Sequence, residues 1–263
     1  MKVFEHFCNN FVDGCLAKKS VDGFESIWAL DLDWFEEPNL CRGGWSGVAR
    51  YKVSSEYSVF IKRQENYCYR SWNNLFIPTP TFYREFKNLQ KFTQLKIPTL
   101  DLLYFGKRKE KGKMQAILVT EELDGFLSLD SDELKRIIQV DILFRKAVIK
   151  KLAKVIAHMH KEKVQHGCLY EKHVFLKRLE DGTIDLRLID LEKAKKKIFG
   201  KSVVSRDLDT LFRHSEGWSK ADYMRFFLLY RGEVRLSDQS KKVLASFLKK
   251  VKVKVKDNKS SKL

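Results

Sequence analysis

The sequence predicts an α+β protein in which a β-rich first half is followed by a mainly helical second half. In the first half, short apolar segments typical of strands occur at 48–53, 58–62 and 115–120. In the second half, apolar side chains repeat at helical spacing over 143–162, and 221–231 is typical of a packed helix. With 263 residues, 44% hydrophobic and 13% aromatic, the chain can bury a sizeable core and is not expected to be disordered.

The long helix predicted over 143–162 is amphipathic. Its predicted core face consists of Phe144, Val148, Leu152, Val155, Ile156 and Met159. The lysines lie mostly on another face, at Lys146, Lys150, Lys151 and Lys154. A solvated face is the simplest interpretation of these lysines, and a ligand-binding role is the alternative.

Cysteine usage and hydropathy indicate where the protein works. The five cysteines are odd in number, widely spaced and without a C-x-x-C pair: Cys8, Cys15, Cys41, Cys68 and Cys168. This pattern predicts neither a disulfide framework nor a zinc finger, and it favours a reduced, cytosolic compartment. The N-terminus lacks the apolar core of a signal peptide, and no apolar segment approaches the roughly 20 residues that span a bilayer. We therefore expect a soluble protein, or one bound only at a membrane surface.

Positive charge is concentrated at the C-terminal end. The net charge is +17, and 241–262 holds nine lysines against Asp257 alone. Such a tail attracts polyanions, among them an anionic membrane surface, lipopolysaccharide and nucleic acid. A solvated chain end is the alternative. No nucleic-acid-reading motif accompanies the tail, so we expect any nucleic-acid binding to be non-specific.

The segment from His166 to His173 is followed by two alternating apolar stretches around Asp181–Gly182. An Asp-Gly pair between such stretches is a strong hairpin signal. A two-residue turn at Asp181–Gly182 would place His173 opposite Asp190, so that an imidazole and a carboxylate meet at the open end of the hairpin.

Charged residues in the first half form a second pattern. Lys62 ends the predicted strand 58–62, and Pro80–Thr81 is a plausible helix start with Thr81 as cap. Glu85 lies one turn into that helix. Upstream, 42–47 has the composition of a glycine-rich turn between two strands, which can cradle phosphates, although an ordinary hairpin has the same residues.

This order of elements resembles that of protein-kinase-like phosphotransferases, in which an H-R-D-x-x-x-x-N loop is followed by a hairpin that ends in D-F-G. In the resemblance His166 matches the loop histidine, His173 the asparagine and Asp190 the metal-binding aspartate. Cys168 stands where the catalytic aspartate is expected.

Over roughly 42–231 the chain resembles the lipopolysaccharide kinase family, the Kdo and core heptose kinases, and most closely its InaA-like branch. The specific segments are 60–64, 80–85, 118–123, 166–173, 189–191 and 206–208. The resemblance implies a two-lobed protein-kinase-like fold with a small β-rich N-lobe and a larger helical C-lobe. The implied boundaries are 1–121 for the N-lobe, 122–240 for the C-lobe and 241–263 for the basic tail.

The resemblance also implies ATP and Mg²⁺ as cofactors, together with the residues that bind them. The implied catalytic residues are Lys62, Glu85, His166 and Cys168. The implied nucleotide-binding residues are Gly43, Gly44, Ser46, Gly47, Lys62, Glu121 and Leu123, the last two through the backbone of a hinge. The implied metal ligands are His173 and Asp190, and Asp207 would support the catalytic loop from a helix.

Two features favour a sugar or lipid-linked acceptor over a protein. Gly167 replaces the arginine of H-R-D, and only about fifteen residues separate Asp190 from Arg206, without an A-P-E motif. The resemblance implies an envelope glycolipid such as lipopolysaccharide as acceptor, at the cytoplasmic face of the inner membrane. The insertion 64–79 is a candidate lid or acceptor-binding surface through Tyr67, Tyr69, Arg70 and Trp72, and packing within the N-lobe is its alternative.

Cys168 leaves two other interpretations open. A thiol is mostly protonated at neutral pH and is a poor proton acceptor, so the chain could be a pseudokinase that binds nucleotide without turnover. His166, Cys168 and His173 could also hold zinc. Glu171 could substitute for the missing carboxylate.

Overall fold

The structure is a computed structural model that describes residues 3–8, 23–41, 43–70, 75–197, 201–214 and 218–245. The chain divides into two compact units. The first, the β-rich unit, comprises Met1–Phe92 and Leu100–Asp124, and the second, the helical unit, comprises Thr93–Thr99 and Gly125–Leu263. The sequence placed a boundary after residue 121, and the division along the chain follows Asp124.

The β-rich unit is built on a six-stranded sheet. Its strands are β1 (Val3–Cys8), β2 (Asn39–Cys41), β3 (Gly44–Lys52), β4 (Ser58–Glu65), β7 (Leu102–Glu110) and β8 (Lys113–Glu121). The strand order is β1-β7-β8-β4-β3-β2, and every neighbouring pair is antiparallel. A small two-stranded ladder of β5 (Cys68–Tyr69) and β6 (Thr79–Pro80) closes the base of the insertion that follows β4.

Side-chain alternation along β4 explains how this sheet has two different faces. Val59 and Ile61 are buried in a core that includes Phe24 and Ile27 of helix α1 (Gly23–Ala29). Because successive side chains on a strand point to opposite faces, Lys62 points away from this core. The second helix of the unit, α2 (Thr81–Gln94), carries Glu85.

The helical unit is organised around α4. Its helices are α3 (Asp132–Val140), α4 (Ile142–Lys161), α5 (Lys201–His214) and α6 (Lys220–Arg231). The six apolar positions predicted for the core face of α4 are all buried, which confirms the amphipathic pattern. The short strands are β9 (Leu127–Ser128), β10 (Val164–Gln165), β11 (Val174–Arg178), β12 (Ile184–Leu188) and β13 (Lys195–Lys196).

The hairpin of β11 and β12 exists, but its predicted register is wrong by one residue. Leu179 N–H donates to Thr183 O, and Gly182 N–H donates to Leu179 O. The connection is therefore a three-residue loop with Gly182 in the left-handed region, at φ +78°. His173 consequently lies opposite Ile189, whose N–H donates to the His173 carbonyl.

The α+β class predicted from the sequence is confirmed. Within the residues that the structure describes, no helix is long and apolar enough to span a membrane.

Candidate active site

In the β-rich unit, Lys62 and Glu85 form an ion pair. Lys62 Nζ lies 2.6 Å from Glu85 Oε1, and the two side chains are 17% and 6% exposed. Lys62 is flanked in the sheet by Val48 and Leu118, so its backbone position is fixed on both sides. A lysine held in this way presents its ammonium group in a defined direction.

Gln64 attaches α2 to β4 at a second point, which the sequence did not reveal. The side chain is completely buried, and its Oε1 accepts from Phe82 N–H at 2.9 Å and from the Thr81 hydroxyl at 3.0 Å. Its Nε2 donates to the Tyr67 carbonyl. The predicted cap was Thr81, yet Gln64 supplies the acceptor for the first turn of the helix that carries Glu85.

The predicted glycine-rich turn is a hairpin between β2 and β3, with Gly43 at φ +75° and Ser46 paired with Gln64. A Cβ atom on Gly44 would overlap the Glu65 carbonyl oxygen, and one on Gly47 would lie 2.6 Å from the Trp34 ring. Both glycines are therefore required by the packing of the unit itself. Arg42, the first residue of the predicted motif, lies outside the described residues.

The predicted hinge follows β8. Glu121 N–H donates to Asp101 O at 3.1 Å. Glu122 N–H donates to Ser58 O, and its carboxylate accepts from Arg50 Nε at 2.8 Å. These contacts fix the chain immediately before Leu123.

In the helical unit, Asp207 holds the predicted catalytic loop from helix α5. Its completely buried carboxylate accepts from His166 N–H at 2.7 Å and from Gly167 N–H at 2.9 Å. His160 Nε2 lies 3.2 Å from the same carboxylate, and His160 Nδ1 contacts the Tyr230 hydroxyl at 2.9 Å. The supporting role expected for Asp207 therefore has a direct structural basis.

His166 and Gly167 are both constrained by their surroundings. Burial lowers the pKa of His166 to about 4, against the opposite influence of the Asp207 carboxylate, so the ring is neutral at pH 7. Gly167 has φ +82°, and a Cβ atom there would lie 2.7 Å from the Lys193 carbonyl oxygen. The glycine that replaces the arginine of H-R-D is thus required by backbone conformation and by close approach.

His173 and Asp190 converge despite the shifted register. His173 Nδ1 lies 2.8 Å from the Cys168 carbonyl oxygen, and His173 Nε2 lies 3.5 Å from Asp190 Oδ2. Asp190 is left-handed at φ +59°, a conformation that non-glycine residues adopt mainly as Asn or Asp and often at functional sites. The turn of its backbone brings the carboxylate next to the imidazole.

Cys168 is only 7% exposed, and both its backbone N–H and its carbonyl form hydrogen bonds. Its N–H donates to His166 Nδ1 at 3.4 Å, and its carbonyl accepts from Tyr170 N–H as well as from His173. Glu171, considered above as a substitute base, is 4% exposed and lines a partly open pocket of about 260 Å³ with Arg145 and Asp222.

Among the residues that the structure describes, no cluster of three or more His, Cys, Asp or Glu side chains is placed to hold a metal. The zinc interpretation therefore has no ligand set there. Trp72 of the insertion and residues 246–263 of the basic tail lie outside the described ranges.

A model of the Lipopolysaccharide kinase (Kdo/WaaP) family matches residues 25–230, more than half of the chain. The chain belongs to this family. Protein InaA of Escherichia coli (strain K12) is 29% identical to it over 203 residues, which cover 77% of this chain and 92% of InaA. Both findings confirm the resemblance seen in the sequence.

The fold is also that of a solved member of the lipopolysaccharide kinase family. The structure of WaaP in complex with acyl carrier protein matches with a TM-score of 0.68 and 19% identity, over 97% of this chain and 99% of that one. At this identity the likeness concerns the fold, and it confirms the protein-kinase-like architecture expected from the sequence.

Proposed function

We propose that this protein is an ATP- and Mg²⁺-dependent kinase that phosphorylates a sugar hydroxyl on lipopolysaccharide or a related envelope glycolipid. Membership of the lipopolysaccharide kinase family supports the reaction class. The single observation that carries the proposal is the convergence of His173 Nε2 and Asp190 Oδ2 at 3.5 Å.

The hydrogen bond on the other side of the imidazole makes this pair suitable for a cation. Because the Cys168 carbonyl accepts from His173 Nδ1, the neutral ring has its proton on Nδ1 and a lone pair on Nε2. In that tautomer the Nε2 lone pair and the Asp190 carboxylate would face each other, and a bound cation would relieve the repulsion between them. Mg²⁺ prefers oxygen ligands, so Asp190 would be the stronger ligand and His173 the weaker.

The proposal gives separate roles to groups within each unit. When bound, ATP would supply the phosphoryl group, and Mg²⁺ would neutralise negative charge on the phosphates. In the β-rich unit, Lys62 would contact the α- and β-phosphates in the orientation set by Glu85, with the backbone at 43–47 beside them. The adenine would lie at the hinge backbone near Glu121 and Leu123. In the helical unit, neutral His166 would support the loop, and Cys168 would face the acceptor hydroxyl.

The segment after Asp190 supports a small acceptor rather than a protein. β13 begins at Lys195 and pairs with β10, directly before the catalytic loop. Only about fifteen residues separate Asp190 from Arg206, without the A-P-E motif that follows the activation loop of protein kinases. A kinase that uses ATP and a glycolipid acceptor would act at the cytoplasmic surface of the inner membrane. There the basic tail would add attraction to anionic lipid.

Cys168 supports a second candidate function, a pseudokinase that binds nucleotide without turnover. The thiol is nearly buried and replaces the carboxylate that orients the acceptor hydroxyl in protein kinases. General-base assistance is typically worth about 10² to 10⁴ in rate, whereas positioning and metal charge remain without it. The absence of a carboxylate at position 168 is therefore compatible with a slow enzyme as well as with a module that binds nucleotide without turnover.

The test combines titration with Mg·ATP and measurement of ADP release in the presence of purified lipopolysaccharide. Lys62→Ala and Asp190→Asn should each weaken nucleotide binding at least about tenfold, since they remove a phosphate contact and a metal ligand. Asparagine is chosen because it tolerates the left-handed backbone of Asp190. Wild-type phosphotransfer to lipopolysaccharide is expected, and its absence despite nucleotide binding would favour the pseudokinase.

Two matched variants control for the loss of charge. Lys113→Ala breaks another lysine–glutamate pair of the same sheet, 2.8 Å from Glu65, and Asp185→Asn removes a carboxylate from the same hairpin. Both should bind Mg·ATP as the wild type does. If Lys62→Ala and Asp190→Asn bind just as tightly, the assignment of the nucleotide and metal residues is wrong.

A further inference from the structure

The outward face of α4 carries an exposed stripe of lysines. The 20-residue helix contains six Lys or Arg residues and no Asp or Glu. Lys146, Lys150 and Lys154 are all exposed, and their spacing of four residues places them on one side of the helix. Within the described part of the chain, none of these three forms an ion pair, so the stripe is not neutralised by the fold.

The same stripe ends in exposed apolar residues at the corner between α3 and α4. Val140 is 82% exposed, Ile142 57% and Leu143 78%. Single exposed apolar side chains are ordinary, but three within four residues at one corner form a contiguous apolar tip.

The corner is held in place by Asp141, which caps both helices. Its backbone N–H donates to Ile137 O at the end of α3, and its carboxylate accepts from Phe144 N–H at 2.8 Å at the start of α4. Arg178 of β11 contacts the second carboxylate oxygen at 3.2 Å. The exposure of the apolar tip is therefore part of the folded structure.

We propose that this α4 surface, formed by the apolar tip 140–143 and the stripe Lys146, Lys150 and Lys154, docks on an anionic lipid bilayer. A projecting apolar tip enters the headgroup region, and lysines beside it contact lipid phosphates. Charge complementarity favours anionic lipid, because the acidic residues nearest in sequence to the apolar tip do not neutralise the positive charge of the lysines. Asp141 is engaged by Arg178, and Asp132 and Glu133 lie at the far end of α3, roughly 12 Å away along the helix.

The proposal deepens the proposed function, because a kinase whose acceptor is a membrane glycolipid must meet it at the bilayer. It assigns docking to a folded surface that is separate from the C-terminal tail. Vesicle binding needs neither nucleotide nor turnover, so its outcome is independent of whether the protein is a kinase.

The experiment is co-sedimentation of the full chain with vesicles of phosphatidylethanolamine and phosphatidylglycerol, compared with vesicles of phosphatidylcholine. Wild type should bind only the anionic vesicles. Leu143→Ser should weaken binding about tenfold, since it removes one inserted leucine. The control Leu40→Ser removes a leucine of equal exposure, 80%, from β2 and should leave binding within about twofold of wild type.

The lysines are tested with a charge-matched pair of triple variants. Replacing Lys146, Lys150 and Lys154 by Gln should weaken binding about a hundredfold, on the order of fivefold for each lysine near the bilayer. The same change at Lys96, Lys109 and Lys111, which are exposed elsewhere, lowers net charge equally and should have a much smaller effect. Leu143→Trp, but not Leu40→Trp, should gain fluorescence quenching from brominated phosphatidylglycerol.

Three results would overturn the proposal. They are the absence of wild-type binding to anionic vesicles, equal losses from the two triple variants, and wild-type affinity for Leu143→Ser. A surface that serves an acidic protein partner instead would leave Leu143→Ser and Leu40→Ser indistinguishable on vesicles.

Discussion

His166 makes the stability of the protein depend on pH. Its pKa is about 4 in the folded chain and near 6.5 in the unfolded chain, so between these values the unfolded chain binds the proton preferentially. The stabilising contribution is fully present above pH 6.5 and is lost as the pH falls toward 4. We expect the free energy of unfolding to fall by up to about 3 kcal/mol over this window, at 1.36 kcal/mol for each pKa unit.

Denaturant unfolding at several pH values, with a chelator present to keep the site free of metal, measures this dependence. His166→Gln should be less stable than wild type at pH 7.5 and should lose part of the wild-type decline between pH 6.5 and 4.5. A variant whose stability follows the wild-type pH curve in parallel would contradict the assignment to His166.

Cys168 is the residue at which the family chemistry can be tested by restoration. A carboxylate at this position would orient the acceptor hydroxyl, so Cys168→Asp should raise phosphotransfer to lipopolysaccharide by at least about tenfold. Cys168→Ser should change the rate little, because a hydroxyl is no better a base. ADP release with and without acceptor distinguishes the cases, and a fall in the rate of Cys168→Asp would indicate a loop rebuilt around the thiol.

At the residue scale, motif order was predictable and local geometry was not. The sequence indicated that His173 and Asp190 belong together, but the shared register that it implied was wrong. Their approach depends on the left-handed backbone of Asp190 and on the Cys168 carbonyl, neither of which has a sequence pattern of its own. Gly167 was noted as a departure from H-R-D, and its cause, the approach of the Lys193 carbonyl, required the tertiary structure.

Among the structural elements, the joint between β4 and α2 depends on Gln64. Lys62 and Gln64 lie on one face of the strand, and they contact Glu85 and Phe82 on successive turns of the helix. Gln64→Leu would remove the acceptor of Phe82 N–H and of the Thr81 hydroxyl, at a cost of about 1–3 kcal/mol for each buried group. The displaced helix should also move Glu85 and thereby weaken Mg·ATP binding several-fold.

Gln115→Leu is the matched control for this prediction. Gln115 is a buried glutamine of β8 that contacts Arg108 and Glu65, away from α2. Both variants should melt at lower temperature than wild type, but only Gln64→Leu should bind nucleotide more weakly. Equal nucleotide affinities in the two variants, measured by titration, would show that Gln64 has no special connection to the Lys62 pair.

Element types were more predictable than element ends. The 3.6-residue period predicted α4 within one residue at each end, because its buried face is long and regular. β4 runs three residues beyond its predicted end, since Arg63 and Gln64 are buried polar residues that interrupt the apolar pattern. The loop of the β11–β12 hairpin differs from the expected two-residue turn because Asp-Gly also suits a three-residue loop with glycine in the left-handed region.

For the molecule as a whole, charge predicts non-specific attraction to nucleic acid. Residues 246–263 carry seven lysines and Asp257, which supply six units of the net charge of +17. Deletion of these residues should weaken binding to arbitrary DNA and reduce the dependence of affinity on salt, because fewer counterions are released. Fluorescence anisotropy between 50 and 200 mM salt tests this, and a preference for one DNA sequence over its scrambled form would refute it.

At this scale the sequence predicted the class, the family and the order of elements, since these depend on periodicity and on motifs spread over most of the chain. For the lysines of α4 the sequence left a ligand-binding role as the alternative to a solvated face, but it gave no sign of the apolar tip. The lysines were visible in the sequence, but the exposure of Val140, Ile142 and Leu143 depends on the corner at Asp141, and apolar residues in a helix are more often buried.

The short path from Asp190 to β13 has a consequence for regulation. Residues 191–194 alone separate Asp190 from the strand that pairs with β10, and the 3₁₀ turn Leu191–Lys193 fills most of that length. In protein kinases a longer segment follows this aspartate, and its phosphorylation switches the enzyme between inactive and active states. On the proposed function, the short stretch 191–194 leaves little chain for such a switch before β13, and we expect the rate of phosphotransfer to follow the amounts of protein and acceptor.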